Sequence, residues 1–171
     1  PSVIPADVPS YVPAVAVGDY TEIDLGTTAA GTDVSVWHLP GGAGDADRGT
    51  RDLVAVLDFL EQTYGAYAFG SHVGSVEADW GPGAYGGMEH HPYWHVASGS
   101  MDDPETHAHE AAHGWFGDGV RMECWEDFVL SEGVTSYLAL HALESVGGPN
   151  NWPLYGSWLA SICPGYGGSV P

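Results

Sequence analysis

Apolar residues recur at helical spacing across residues 51–64, where Leu53, Val54, Leu57 and Leu60 form a stripe that can enter a core. A second run carries Leu130, Val134, Tyr137, Leu138 and Leu140, all able to pack, and extends to about Ser145 before Gly147 and Gly148 stop it. Residues 14–25 and 32–39 read as strands joined by a turn over 26–31. A further strand is predicted over 71–78, a Gly-rich turn over 81–87, and continuing β structure over 88–97. The Pro-rich residues 1–13 are expected to be extended, the Gly/Asp-rich residues 41–50 to form a loop, and 153–163 to add a last short helix. No internal repeat is present. Strands followed by helices suit an α+β core in which a sheet forms one wall and helices the floor.

Between the last predicted strand and the second helical run lies the segment that carries the chemistry. Asp102 and Asp103 are candidate caps, and Pro104 and Glu105 suit a first helical turn. Ala108, Ala111 and Ala112 allow close packing, while Trp115 and Phe116 can bury the helix end near Gly117. On this helix His109, Glu110 and His113 spell H-E-x-x-H. Its two imidazoles lie about 40° apart around the axis, at about 100° per residue, so both can reach one ion from the same face. Glu132 follows after eighteen intervening residues and offers a third ligand from a second helix. The set leaves a fourth tetrahedral position for water or substrate and predicts one zinc ion. Glu110 stands about 100° from His109 around the helix, beside the metal without having to ligate it, which is the place for a general base.

Composition narrows the partners. At 171 residues, 44% hydrophobic and with seven Trp, the chain can bury one core but hardly two independent ones. Three Arg and no Lys stand against 23 acidic residues, a formal net charge of -20. Such a field repels nucleic acid and anionic membrane surfaces and suits cationic or free-amine ligands. The acids are spread along the chain, so solubility in a saline or extracellular setting also accounts for them. No apolar stretch is long enough to span a membrane. Starting at Pro1 without an initiator Met or a signal-like run, the chain is expected to be a mature or excised segment. Cys124 and Cys163 belong to no C-x-x-C pair. A disulfide between them would suit an extracellular or periplasmic protein, and two buried free thiols are the alternative that the sequence leaves open.

Three segments together resemble one family, the gluzincin aminopeptidases related to aminopeptidase N. They are Gly86-Gly87-Met88-Glu89-His90, the run from His109 to Asp118 reading HEAAHGWFGD, and Leu130-Ser131-Glu132-Gly133. In the family these read G-x-M-E-N, H-E-x-x-H-x-W-F-G-N and N-E-G. The resemblance implies a thermolysin-like metallopeptidase core over residues 41–171, truncated relative to the family, with a mixed sheet wall and zinc-binding helices. Residues 1–40 would be a short β lead-in resembling the end of the family's saddle-like domain. It further implies that Gly86, Gly87, Met88 and Glu89 form the edge strand along the substrate cleft and that Glu89 binds the substrate's α-amino group. A carboxylate at the end of an edge strand suits that role, and the two glycines let the backbone approach a ligand closely. His90 stands where the family has Asn and inherits no role.

The family's oxyanion-stabilising Tyr lies further downstream of the zinc Glu than this chain extends, so Tyr137, Tyr155 and Tyr166 do not inherit it. An additional domain or chain would supply that donor, or the metal would act largely alone. Asp127 sits in a W-E-D segment similar to the family's W-x-D and is a candidate for orienting a ligand, or else a solvated carboxylate. His90, His91 and His95 are read as surface or core histidines rather than a second metal site, and His107 as facing away from the ligands. The function expected is zinc-dependent hydrolysis of amino-terminal peptide bonds, with a zinc-activated water and Glu110 as general base. A zinc endopeptidase and a non-catalytic peptide-binding module of a larger assembly are the alternatives.

Overall fold

The computed structural model of this chain describes residues 10–120 and 123–162. Its strands are β1 (Thr21–Thr27), β2 (Asp33–His38), β3 (His72–Ala78), β4 (Gly87–Met88) and β5 (Tyr93–Ala97). Its helices are α1 (Ala43–Gly49), α2 (Leu53–Tyr64), α3 (Pro104–Ala112), α4 (Phe128–Ser145) and α5 (Trp152–Ile162). The strands form one mixed sheet in the order β1-β2-β3-β5-β4. The outer pairs β1·β2 and β4·β5 are antiparallel, and the inner pairs β2·β3 and β3·β5 are parallel. This is the α+β arrangement with a sheet wall that the order of segments predicts.

Burial follows the position of each strand. The central β3 is buried at every position after His72, as a strand covered on both faces must be. In β2 the fully buried Val34 and Val36 alternate with half-buried Ser35 and Trp37. The α2 stripe enters the core through Leu53, Val56, Leu57 and Leu60, joined there by Phe69, Trp94, Met101 and Leu143. α3 and α4 pack together, and Ala108, Ala111 and Ala112 of the one and Leu138, Ala139 and Ala142 of the other are buried in the same core.

Three elements differ from the sequence reading. Residues 41–50 were expected as a loop, yet seven of them form α1, which packs on α3. A β-carbon on Gly49 would stand 2.1 Å from the Met101 carbonyl oxygen, so small residues here serve a close helix contact rather than a flexible link. The expected strand over 14–25 begins only at Thr21. The β structure over 88–97 is broken by a reversal at residues 89–92, which turns β5 back along β4 so that Gly87 faces Val96 and Met88 faces His95. On α4, Leu138 and Leu140 are buried as expected, but Leu130 is 58% and Tyr137 47% exposed. No helix among the described residues is long and apolar enough to cross a membrane.

Candidate metal and substrate site

Pro104 opens α3, and Asp103 caps it by accepting hydrogen bonds from the amides of Glu105 (3.2 Å) and Thr106 (3.3 Å). The helix is thereby fixed at its start, and it delivers His109 and Glu110 on its last turn and His113 at its C-cap. Gly117 then turns the chain with φ +101°, and a β-carbon there would meet His113 Nδ1 at 2.5 Å. Only glycine allows the turn after the helix to lie against that ring.

The three candidate ligands come together. His109 Nε2 is 3.2 Å from Glu132 Oε2, His113 Nε2 is 3.7 Å from Glu132 Oε1, and the two Nε2 atoms are 3.1 Å apart. Donors about 2.1 Å from a tetrahedral ion sit roughly 3.4 Å from one another, so this triangle has the size a zinc ion requires. The remaining ring atoms fix the orientation. His113 Nδ1 donates to the Phe116 carbonyl at 3.0 Å, so Nε2 is the nitrogen that would give up its proton to offer a lone pair to a metal, and Thr135 donates to the same carbonyl at 3.1 Å. His109 Nδ1 lies 3.3 Å from the Ser136 hydroxyl. Two imidazole nitrogens and a carboxylate converging in this way form a donor set that a divalent cation satisfies.

Electrostatics agree with the geometry. The hydrogen bonds from His109 and His113 hold the Glu132 carboxyl well below the usual carboxylate range. Burial lowers His113, but the Glu132 hydrogen bond and the Glu110 and Glu89 charges outweigh it and bring the ring up to about 9. Glu110 is pushed up to about 8 by burial, opposed by His113 and reinforced by Glu89, Glu132 and Asp118.

Of the four residues read as the edge strand, Gly87 and Met88 form β4 at one edge of the sheet, while Gly86 and Glu89 flank it outside the strand. Its backbone passes so close to Glu110 that a β-carbon on Gly87 would stand 2.3 Å from Glu110 Oε1. Donor atoms of Glu89, Glu110 and His113 lie within 4.8 Å of one another. Gly87, Met88 and Glu89 therefore line, together with His109, Glu110, His113 and Glu132, one cleft of about 510 Å³. Gly86 accepts a hydrogen bond from the Ala97 amide at 2.8 Å and lines the adjoining cavity.

Other sequence candidates lie elsewhere. His107 is fully buried between Ser75 and the Met101 carbonyl, and burial lowers it to about 4. His91 is buried against the Tyr67 hydroxyl (2.6 Å), whereas His90 and His95 pair through their Nδ1 atoms at 2.8 Å. Among the described residues, none of these four joins a group of three donors able to hold a metal. Asp127 immediately precedes α4 and accepts from the exposed Cys124 thiol at 3.4 Å. Cys163 and Tyr166 lie outside the described residues, and with them the Cys124–Cys163 pairing. Tyr137 lies in tilted ring contacts with His141 and Trp152, and Tyr155 donates to Glu105 Oε1 at 2.6 Å on the rim of the adjoining cavity. Sequence reasoning missed Tyr11, whose hydroxyl donates to Glu89 Oε1 at 2.5 Å. It gave no role to Asp118, which ends the HEAAHGWFGD run and lies buried 3.9 Å from His91 Nε2, its carboxyl pushed up to about 7 by burial.

Known proteins share both sequence and fold with this chain. Residues 97–161 match the model of the peptidase family M1 domain. Leucine aminopeptidase 2 of Chaetomium globosum is 32% identical over 149 residues, covering 81% of this chain and 22% of that protein. Endoplasmic reticulum aminopeptidase 2 of Homo sapiens is 29% identical over 153 residues, covering 80% of this chain and 15% of that protein. A crystal structure of an M1 zinc metallopeptidase from Deinococcus radiodurans superposes with a TM-score of 0.60 at 24% identity, covering 83% of this chain and 31% of that one. A variant of the Deinococcus enzyme bound to a Tyr-Ser-Ala substrate superposes with a TM-score of 0.65 at 21% identity, over 91% of this chain and 35% of that one. The chain spans 22% or less of the two curated relatives named here. What the chain shares with these proteins is the peptidase family M1 domain over residues 97–161, and its two imidazoles and one carboxylate are a donor set that suits zinc.

Proposed function

We propose that this chain carries the metal-binding and amine-binding half of an aminopeptidase active site, within a thermolysin-like core. The observation that carries the reading is the meeting of Glu89, Glu110 and the His109–His113–Glu132 triangle in one cleft. The two imidazole Nε2 atoms and the Glu132 carboxylate would hold the ion. When bound, zinc polarises a peptide carbonyl and lowers the pKa of water, as a Lewis acid. Glu110 takes a proton from the attacking water and returns it to the leaving amine. Its burial keeps the carboxyl basic, and a divalent charge beside it draws it back toward the ionised form at neutral pH. The edge-strand backbone at Gly87 and Met88 aligns an extended peptide, and the Glu89 carboxylate binds its terminal ammonium.

Metal analysis paired with hydrolysis of a fluorogenic aminoacyl substrate tests the proposal. Glu110→Gln is expected to keep zinc and lose activity by at least about a hundredfold; full activity in that variant would end the general-base assignment. An acetylated peptide should be cut far more slowly than its free-amine twin. Equal rates would turn the reading to an endopeptidase.

A further inference from the structure

Glu89 has a partner that no sequence motif announces. Tyr11 lies 78 residues away in the segment before β1, and its hydroxyl donates to Glu89 Oε1 at 2.5 Å. The phenol O–H donates and the carboxylate oxygen accepts, so one of the two Glu89 oxygens is held by Tyr11. Tyr11 also lines the cleft itself, beside Met88, His109, Glu110 and Glu132. The segment is anchored there, because the next residue, Val12, is fully buried in the core. Tyr11 is 44% exposed as well as lining the cleft, whereas its neighbour Val12 is not exposed at all. A residue whose only task was to pin the segment would repeat what Val12 already does.

We propose that Tyr11 is a substrate-positioning residue: by binding one oxygen of Glu89 it holds the carboxylate in the orientation that presents the other oxygen to the substrate's terminal ammonium. The proposal rests on the reading of Glu89 as the amine anchor and adds the residue that sets its direction. A free carboxylate at the end of an edge strand swings about two side-chain torsions beyond χ1, and a fixed one binds an ammonium with less ordering cost. Tyr11 acts through Glu89 and touches no reacting atom, so its loss should weaken binding of the amine more than it slows turnover.

Two measurements on the zinc-loaded full chain test this, isothermal titration with leucinamide and steady-state hydrolysis of a leucyl fluorogenic substrate. Tyr11→Phe keeps the ring and removes only the donor. It is expected to weaken leucinamide binding and raise KM by about fivefold, with kcat changed less than about twofold. In a Glu89→Gln background the same substitution should have no further effect, because the oxygen it orients no longer carries the charge. Equal leucinamide binding by wild type and Tyr11→Phe overturns the proposal, and so does an undiminished effect of Tyr11→Phe in the Glu89→Gln background. Failure of the broader reading looks different: wild-type chain that binds leucinamide but cleaves nothing removes the aminopeptidase assignment while the binding comparison still decides on Tyr11. If wild type does not bind leucinamide, both are overturned.

Discussion

Gly87 and Glu110 touch so closely that any side chain at position 87 would displace the Glu110 carboxylate. A methyl group there would stand 2.3 Å from Glu110 Oε1 and 2.6 Å from its carboxyl carbon, so the base would have to leave its place against the edge strand. A shift of about 1 Å in a reacting group can cost roughly a hundredfold in rate, and Gly87→Ala is expected to lose about that much in kcat/KM. None of the three metal donors is what the methyl meets there, so zinc content should stay at the wild-type level. Unimpaired kcat/KM would show that Glu110 does not act from that position. The residues that the sequence made legible are those whose spacing is itself the chemistry: His109 and His113 one helical turn apart, with Glu132 at a fixed distance after them. Tyr11 and Asp118 were illegible for the opposite reason. Each meets its partner through the fold, Tyr11 across 78 residues, and although Asp118 ends a recognisable run, no local spacing announces its meeting with His91.

At the scale of elements, periodicity predicted well where one face is apolar and poorly where packing is done by small residues. α2 was legible because Leu53, Leu57 and Leu60 repeat with the helix. α1 was not, because Ala43, Gly44, Ala46 and Gly49 carry no apolar stripe and glycine by itself signals a loop. What makes α1 a helix is tertiary contact: Ala46 and Gly49 are buried, and Gly49 rests on the carbonyl of Met101 and the ring of His107. The same contact supports the start of α3, so α1 helps to position the helix that presents the metal ligands. Gly49→Ala gains helix propensity in α1 but drives a methyl into that carbonyl. Overpacking of this kind costs about 1–3 kcal/mol, more than the propensity returns. A urea titration should show a lower midpoint with an unchanged m-value; a midpoint equal to or above wild type would mean that α1 does not pack this tightly. On α4 the apolar residues lie on every side, so the sequence offered Leu130 and Tyr137 as packing residues although both face outward.

Over the whole molecule, burial shifts titratable groups in opposite directions. Burial lowers His91 to about 3 and His107 to about 4, so both are neutral in the native chain and protonate near 6.5 when it unfolds. The stability they confer is complete above about pH 6.5 and is lost as pH falls from there toward 4. Glu110, raised to about 8, and Asp118, raised to about 7, behave in the reverse sense. Burial makes the native chain hold their protons more tightly, so the stability they confer is complete below the ordinary carboxyl pKa and is lost as pH rises through about 7 to 8. His113, at about 9, loses its contribution between about 6.5 and 9. Below neutrality the two tendencies oppose; above about pH 6.5 only the losses remain. Chelated chain is therefore expected to melt at a lower temperature at about pH 8.5 than at about pH 6. Zinc reverses the trend, because binding to neutral imidazoles releases the proton that His113 holds and so tightens as pH rises. The gap in Tm between zinc-loaded and chelated chain, read by scanning fluorimetry at fixed ionic strength, should widen across the same range. A gap that narrows toward alkaline pH would mean that His113 does not reach the metal as a neutral ligand, and the triangle of donors would lose its role.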